Sequence, residues 1–349
     1  MEINKGNYTI DTAERLKRYM QARAFGCEDA FYEYRENWSS YPRAQYVSEY
    51  PLSLEFQISD VCNLKCPFCY RGRDDYRPDA DRFMDFEIFK KAIDEVGGKV
   101  PAIRFNSTGE SVLHPNFVEM IKYAKDRGAV EVSFITNSGA ISLEMFEKIL
   151  LAGADWMTVS IDGLYDAYEK NRYPLRFDET YQRMQGMKRI KEKYATPKPA
   201  INIQGIWPMI EPQIDEYMDK MSQVSDYINY SAFIDLVKIK TEQEQTNDIS
   251  DFTCPEPFQR MLISLHGDAY GCCCNFGRER ILSTSLGNVK DVSVYDLWHG
   301  EKFNKLRKSC STPGGYKDEP TCKGCHMARK MKERAIKIHS QEYMIREYV

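Results

Sequence analysis

Between Leu52 and Ile234 short β-rich runs alternate with amphipathic stretches, and this alternation leaves few architectures open. The strand candidates are Leu52–Ile58, Ala102–Ser107, Glu131–Asn137, Trp156–Ile161, Ile201–Trp207 and Tyr227–Ile234. Helical periodicity follows in stretches such as Phe86–Val96, Asn116–Arg127, Leu143–Leu151 and Tyr181–Tyr194. Repeated strand-then-helix units build a parallel sheet with helices on its outer face. Six units are too few for a complete eight-unit barrel. The predicted fold is therefore α/β, a partial (β/α)6 TIM-type barrel.

The strands themselves alternate. Leu54, Phe56 and Ile58 interleave with Glu55 and Gln57, Ile103 and Phe105 with Arg104 and Asn106, and Ile201 and Ile203 with Asn202 and Gln204. The apolar face is expected against the helices and the polar face in the lumen. A packed barrel interior favours Val, Ile and Leu, so a polar lumen implies a ligand cavity. Glu55, Gln57, Arg104, Asn202 and Gln204 are then the expected substrate contacts, although they can equally satisfy one another. An antiparallel sheet with one wet face is the alternative.

Around this core, residues 1–50 read as an N-terminal helical extension without a functional signal, 51–240 as the barrel, and 241–349 as a small further domain. The last begins on the polar run Thr241–Ser250. A hairpin candidate follows, Met261–Leu265 with Tyr270–Cys274, and then short helices at Val294–Gly300 and Lys302–Lys308. Such a unit has little core of its own and is expected to need a metal. The net charge of -4 argues against a nucleic-acid partner. No apolar run approaches the ~20 residues of a membrane helix, and the polar N-terminus is not a signal peptide. A soluble, cytoplasmic chain without a membrane partner is expected.

Eleven cysteines fall at the two ends of the chain, with none between Cys69 and Cys254. In a reducing compartment they are thiols or metal ligands rather than disulfides. Cys62-Asn-Leu-Lys-Cys66-Pro-Phe-Cys69 follows the first strand directly, with the spacing C-x3-C-x2-C. Three thiolates this close can hold three corners of a cuboidal iron–sulfur cluster and leave one iron open. Zinc competes, but a structural zinc site wants a fourth ligand nearby, and Asn63, Lys65 and Tyr70 offer none.

This motif, with Phe68 in the aromatic position, resembles that of the radical S-adenosylmethionine (radical SAM) enzymes. The resemblance implies a 4Fe-4S cluster on Cys62, Cys66 and Cys69, whose open iron chelates the methionine moiety of S-adenosyl-L-methionine. Reductive cleavage then yields a 5′-deoxyadenosyl radical, with the electron drawn from a flavodoxin- or ferredoxin-type donor. Ser107-Thr-Gly-Glu110 resembles the family's Gly-Gly-Glu segment with Thr108 in the first Gly position, which assigns Gly109 and Glu110 to the methionine ammonium. Asn137, Ser160 and Asp162, at the ends of the third and fourth strands, are assigned to the cofactor's ribose and carboxylate. Arg172 is a candidate partner of that carboxylate.

Cys254, Gly267 and Cys272 satisfy C-x(9–15)-G-x4-C, and Cys322-Lys-Gly-Cys325 follows. This pattern resembles the auxiliary-cluster domain called SPASM or, in its shortened form, twitch. No cysteine follows Cys325. The resemblance therefore implies one auxiliary 4Fe-4S cluster on Cys254, Cys272, Cys322 and Cys325, two clusters in all. By ligand count alone a zinc ribbon is the alternative. Cys274 or Cys310 could substitute as a ligand, or be a small buried apolar side chain.

Two reactions suit this layout, which resembles that of 2-deoxy-scyllo-inosamine dehydrogenase and of sugar and aminocyclitol epimerases. In a dehydrogenation the auxiliary cluster accepts an electron from the substrate radical. In an epimerisation a thiol returns a hydrogen atom, with Cys273, Cys310 and Cys27 as candidate donors. The expected substrate is a small polyol: a sugar, an aminocyclitol or a sugar nucleotide. A peptide- or protein-modifying maturase is an alternative, and a non-catalytic metal-binding scaffold is one of another class.

Overall fold

The computed structural model describes residues 7–72, 76–233, 248–272, 284–320, 322 and 325–349. Cys273 and Cys274, with most of the polar run after Thr241, lie outside the described residues. Six parallel strands form the barrel wall in sequence order: β2 (Ser53–Phe56), β3 (Ala102–Phe105), β4 (Glu131–Thr136), β5 (Trp156–Ser160), β6 (Ala200–Ile206) and β7 (Tyr227–Ser231). Between them run α3 (Phe86–Val96), α4 (Phe117–Asp126), α5 (Leu143–Leu151), α6 (Tyr165–Asn171), α7 (Phe177–Lys193), α8 (Trp207–Ile210) and α9 (Ile214–Ser222). The alternation inside the strands works as expected. Phe56 packs on Phe89 of α3, and Phe105 on Phe117 of α4. Glu55 and Arg104 stand in register on the opposite, inner face.

Two features depart from the sequence reading. The hairpin of the C-terminal region, β8 (Arg260–Ile263) and β9 (Ala269–Tyr270), is part of the barrel sheet, since β8 pairs in parallel with β2 from Ser53↔Arg260 to Phe56↔Ile263. At the other edge β1 (Asn7–Thr9) pairs antiparallel with β7. The N-terminal extension is therefore not helical throughout, and its helices α1 (Ala13–Ala24) and α2 (Glu28–Ala44) are not idle. They close the N-terminal end of the lumen. Tyr19 stacks on Tyr227, and Arg23 lies 4.4 Å over the Trp156 ring while donating to both carboxylate oxygens of Glu131 at 2.8 and 2.9 Å. Among the described residues, this leaves the C-terminal ends of the strands as the mouth.

Beyond the sheet, α10 (Val294–His299) and α11 (Glu301–Ser311) dock on the barrel. Ser293 caps α10 from its own chain, and Glu95 of α3 accepts the Val294 and Tyr295 N–H groups at 2.8 and 2.9 Å. Trp298 Nε1–H donates to the Ser48 carbonyl. A terminal hairpin, β10 (Met331–Ile338) and β11 (Gln341–Tyr348), packs Ile338 and Ile345 into the main core. None of the described helices is long and apolar enough to cross a membrane.

Candidate active site

The first cysteine group leaves β2 through Ser59 and Asp60. The Asp60 carboxylate accepts Arg71 Nη1–H at 2.9 Å, Tyr76 O–H at 3.0 Å and Asp79 N–H at 2.7 Å. One buried acid thus ties down both flanks of the loop carrying Cys62, Cys66 and Cys69. All three thiols are half-buried. Burial pushes Cys66 up to about 11 against the pull of Arg172, so loading a metal there must displace a proton.

The next strand's loop lies directly on this one. Gly109 has φ 68°, and a Cβ there would sit 2.6 Å from the Ser59 carbonyl oxygen and 2.7 Å from that of Val61. Only glycine permits that approach. The neighbouring Glu110 donates its N–H to the Val61 carbonyl at 2.6 Å. Its Oε2 accepts the Asn137 N–H at 2.8 Å, while Oε1, also buried, makes no hydrogen bond among the described residues. Burial pushes this carboxyl up to about 7, opposed by the Asn137 N–H. Asn137 in turn reaches Asn63 Oδ1 at 2.8 Å and Cys62 Sγ at 3.9 Å.

Arg172 flanks the other side. Its Nη1 is 3.9 Å from Cys66 Sγ and its guanidinium carbon 5.7 Å from the Phe68 ring centre. Asp162 pairs with Arg172 and accepts the Ile206 N–H at 2.8 Å with its other oxygen, at 0% exposure. In this arrangement the Asp162 carboxylate holds Arg172. Ser160 is half-buried at the end of β5. Phe68, Gly109, Glu110, Asn137 and Arg172 do converge on the cysteine loop.

The donor set suits a cluster better than a single ion. Among the described residues, a group with ligand atoms all within 4.8 Å of one another is Asp79, Asp81 and His266; Cys62, Cys66 and Cys69 do not meet that spacing. A tetrahedral ion needs such closeness, whereas the corners of a cuboidal cluster are spread. The buried, unpaired Glu110 oxygen is the acceptor that a methionine ammonium would complete.

Inside the lumen the expected substrate contacts have partners of their own. Glu55 accepts Arg260 Nη1–H at 2.6 Å and Asn106 Nδ2–H at 2.9 Å. Gln57 donates to Thr108 at 2.5 Å, and Asn202 to Thr158 at 3.2 Å. Arg104 lies 4.7 Å over the Trp156 ring. Gln204 is half-buried beside Asn229 in register. Buried amide oxygens nevertheless remain without hydrogen bonds among the described residues: Oδ1 of Asn106, Asn202 and Asn229. Asn229 was overlooked in the sequence, although the alternation Tyr-Ile-Asn-Tyr-Ser already put it on the inner face. Asp60 and the Arg23–Glu131 pair left no local signal.

The second cysteine group gathers at a cavity of about 260 Å³ lined by Cys272, Cys310, Cys322 and Pro257 among others. Cys254, Cys322 and Cys325 pack on a small core of Phe252, Tyr316, Met327 and Ala328. Cys310, expected as a candidate hydrogen-atom donor, is 1% exposed, lines this cavity, and accepts the Cys254 N–H at its backbone carbonyl at 2.8 Å. That placement puts Cys310 beside Cys272 and Cys322. Cys27 lies at the opposite end of the barrel, against the Val130 carbonyl and Lys198.

Residues 56–231 match the Radical SAM superfamily, and residues 254–326 match the SPASM iron–sulfur cluster-binding domain. Among known proteins, the chain is 25% identical over 305 residues to a tungsten-containing aldehyde ferredoxin oxidoreductase cofactor-modifying protein of Pyrococcus furiosus, covering 73% of this chain and 82% of that one. Among solved structures it is similar to BtrN in complex with AdoMet and 2-DOIA, with a TM-score of 0.53 and 16% identity over 78% of this chain and 92% of that one. It is also similar to anSMEcpe with bound AdoMet and Cp18Cys peptide, with a TM-score of 0.54 and 17% identity over 78% and 88%. These two likenesses concern the fold. The chain belongs to the radical SAM superfamily and is a radical SAM enzyme with a SPASM domain, binding S-adenosylmethionine, a 4Fe-4S cluster and auxiliary iron–sulfur.

Proposed function

We propose that this enzyme dehydrogenates a small polyol, such as a sugar, an aminocyclitol or a sugar nucleotide. When bound, the clusters and S-adenosylmethionine supply a hydrogen-abstracting 5′-deoxyadenosyl radical and an electron acceptor. The protein's part is to hold and orient. Cys62, Cys66 and Cys69 hold the catalytic cluster, Glu110 accepts the methionine ammonium, and Arg172 faces the carboxylate beside Phe68. Cys254, Cys272, Cys322 and Cys325 hold the auxiliary cluster.

The observation that carries the substrate class is the set of unpaired amide oxygens of Asn106, Asn202 and Asn229 inside the barrel. Each buried acceptor left bare costs about 1–3 kcal/mol. Hydroxyl groups of a polyol donate to such acceptors. Of the candidate donor thiols among the described residues, Cys27 sits at the closed end of the barrel and Cys310 lines the auxiliary cavity, so neither supports inversion in the lumen.

A second reading comes from the Pyrococcus relative, which is named for modifying a cofactor. A polar cofactor precursor would use the same amide oxygens. One experiment separates these readings from inversion and from a peptide substrate. Candidate polyols, a cofactor precursor and candidate peptides are incubated with reconstituted enzyme in deuterated water. An oxidised polyol without carbon-bound deuterium supports the proposal. Deuterium at an inverted carbon, or turnover confined to peptides, overturns it.

A further inference from the structure

At the end of β3, Arg104 and Asn106 stand two positions apart on the inner face, roughly 7 Å from each other along the chain. The barrel strands run towards the mouth, so Arg104 is the deeper of the two. Asn106 is 8% exposed, and its Nδ2–H donates to Glu55 Oε2 at 2.9 Å. A carboxylate paired with Arg260 only accepts, so the orientation of the Asn106 amide is fixed. Its free group is then Oδ1, an acceptor that calls for a hydroxyl.

Arg104 presents the reverse. It stands in register with Glu55 on one side and Ser133 on the other, yet Glu55 does not pair with it. The two Glu55 oxygens are taken by Arg260, at 2.6 Å, and by Asn106, while Glu256 also turns to Arg260 at 2.6 Å. Towards the closed end, both Glu131 oxygens are held by Arg23. Among the described residues Arg104 makes no ion pair and no hydrogen bond, and its buried Nε is bare. The Trp156 ring, 4.7 Å from the guanidinium carbon, holds it by its face. Stacking of this kind fixes the plane of the fork and leaves its N–H groups unused. A half-buried guanidinium held in this way, with no anion of its own, is a preformed receiver for an oxyanion.

We propose that Arg104 binds an oxyanion of the substrate, a phosphate or a carboxylate, deep in the lumen, while Asn106 accepts a hydroxyl nearer the mouth. The hydroxyl half rests on the polyol reading, and Arg104 narrows that reading. Phosphorylated sugars, sugar nucleotides and uronic acids fit, whereas a cationic aminocyclitol would bring like charge beside the guanidinium.

Equilibrium binding tests this on the full chain, reconstituted and loaded with S-adenosylmethionine, at fixed ionic strength. The probes are glucose, glucose 6-phosphate, glucuronate and inorganic phosphate, of which the second and third separate the two sources of oxyanion. At least one anionic probe is expected to bind roughly tenfold more tightly than glucose. Arg104→Met should remove that gain and act far less on glucose. Arg104→Lys, which keeps the charge without the fork, should restore part of it. No preference for an anion in the unaltered chain, or one that survives Arg104→Met, overturns the proposal. So does an equal loss for glucose together with a lower unfolding midpoint, which would make Arg104 a counter-charge for Glu55 and Glu256. An Arg104-dependent gain for inorganic phosphate, with no sugar bound, keeps the oxyanion site and overturns the polyol reading. If Arg104→Met does not fold, Arg104→Gln carries the same comparison.

Discussion

Glu110 joins the backbone of the cysteine loop to the site where a cofactor ammonium would sit. Its carboxyl is buried, half satisfied and pushed up to about 7. Only its ionised form attracts a cation, so binding of S-adenosylmethionine is expected to take up that charge and release a proton. As pH falls below about 7, affinity should drop towards tenfold per unit, with a plateau above it. Equilibrium binding across that range on reconstituted enzyme checks this, and Glu110→Gln should bind weakly with a flat profile. Glu131 has the opposite sign. Burial raises it, but the Arg23 ion pair outweighs burial and holds it below the ordinary range. The stability it adds is present above the unfolded-state pKa and is lost as pH falls through the lower, folded one. Glu131→Ala strands a buried guanidinium and should cost about 3–5 kcal/mol in denaturant unfolding. Replacing both partners by apolar residues should cost far less.

The barrel strands were legible because their period of two survives in the core: Leu54, Phe56, Ile103 and Phe105 all point to the helices, as the alternation implied. The terminal hairpin was not. Lys332, Glu333, Arg334 and Lys337 make β10 look like a solvated tail; its ladder with β11, the burial of Ile338 and Ile345, and the pairs of Arg334 with Glu347 and Arg346 with Glu333 hold it as a strand. The pairing of β8 with β2 was hidden for a different reason: Ser53 and Arg260 are far apart in sequence, and no local pattern announces a parallel register. The same holds for the site. The C-x3-C-x2-C run is local and was read at once. The contact of Cys310 with Cys254 depends on how α11 packs and could not be. Docking of α10 gives a test of these tertiary links. Glu95 caps two N–H groups at its start, so Glu95→Ala should cost about 0.5–2 kcal/mol. Hydrogen exchange should rise in Val294–His299 and stay unchanged in β4 and β5.

The chain as a whole is less divided than its two cysteine groups suggest. The SPASM match begins at residue 254, yet β8 and β9 inside it complete the barrel sheet, and His266 at their turn pairs with Asp79 at 2.8 Å, beside the acid that anchors the catalytic loop. Only the part around Cys310, Cys322 and Cys325 rests on a small core of its own, Phe252, Tyr316, Met327 and Ala328. Four such side chains cannot hold a unit together without further support. Stability should therefore split within the SPASM region and not at its border. With Cys322 and Cys325 replaced by Ala, the iron of the auxiliary site is expected to be lost and that of the catalytic site kept. Exchange protection should collapse around residues 305–328, while Arg260–Ile263 stays as protected as β2, with which it shares a ladder. Equal loss of protection in β8 and α11 would show that the auxiliary cluster supports the barrel sheet too. Protection retained in both would show that packing alone is enough.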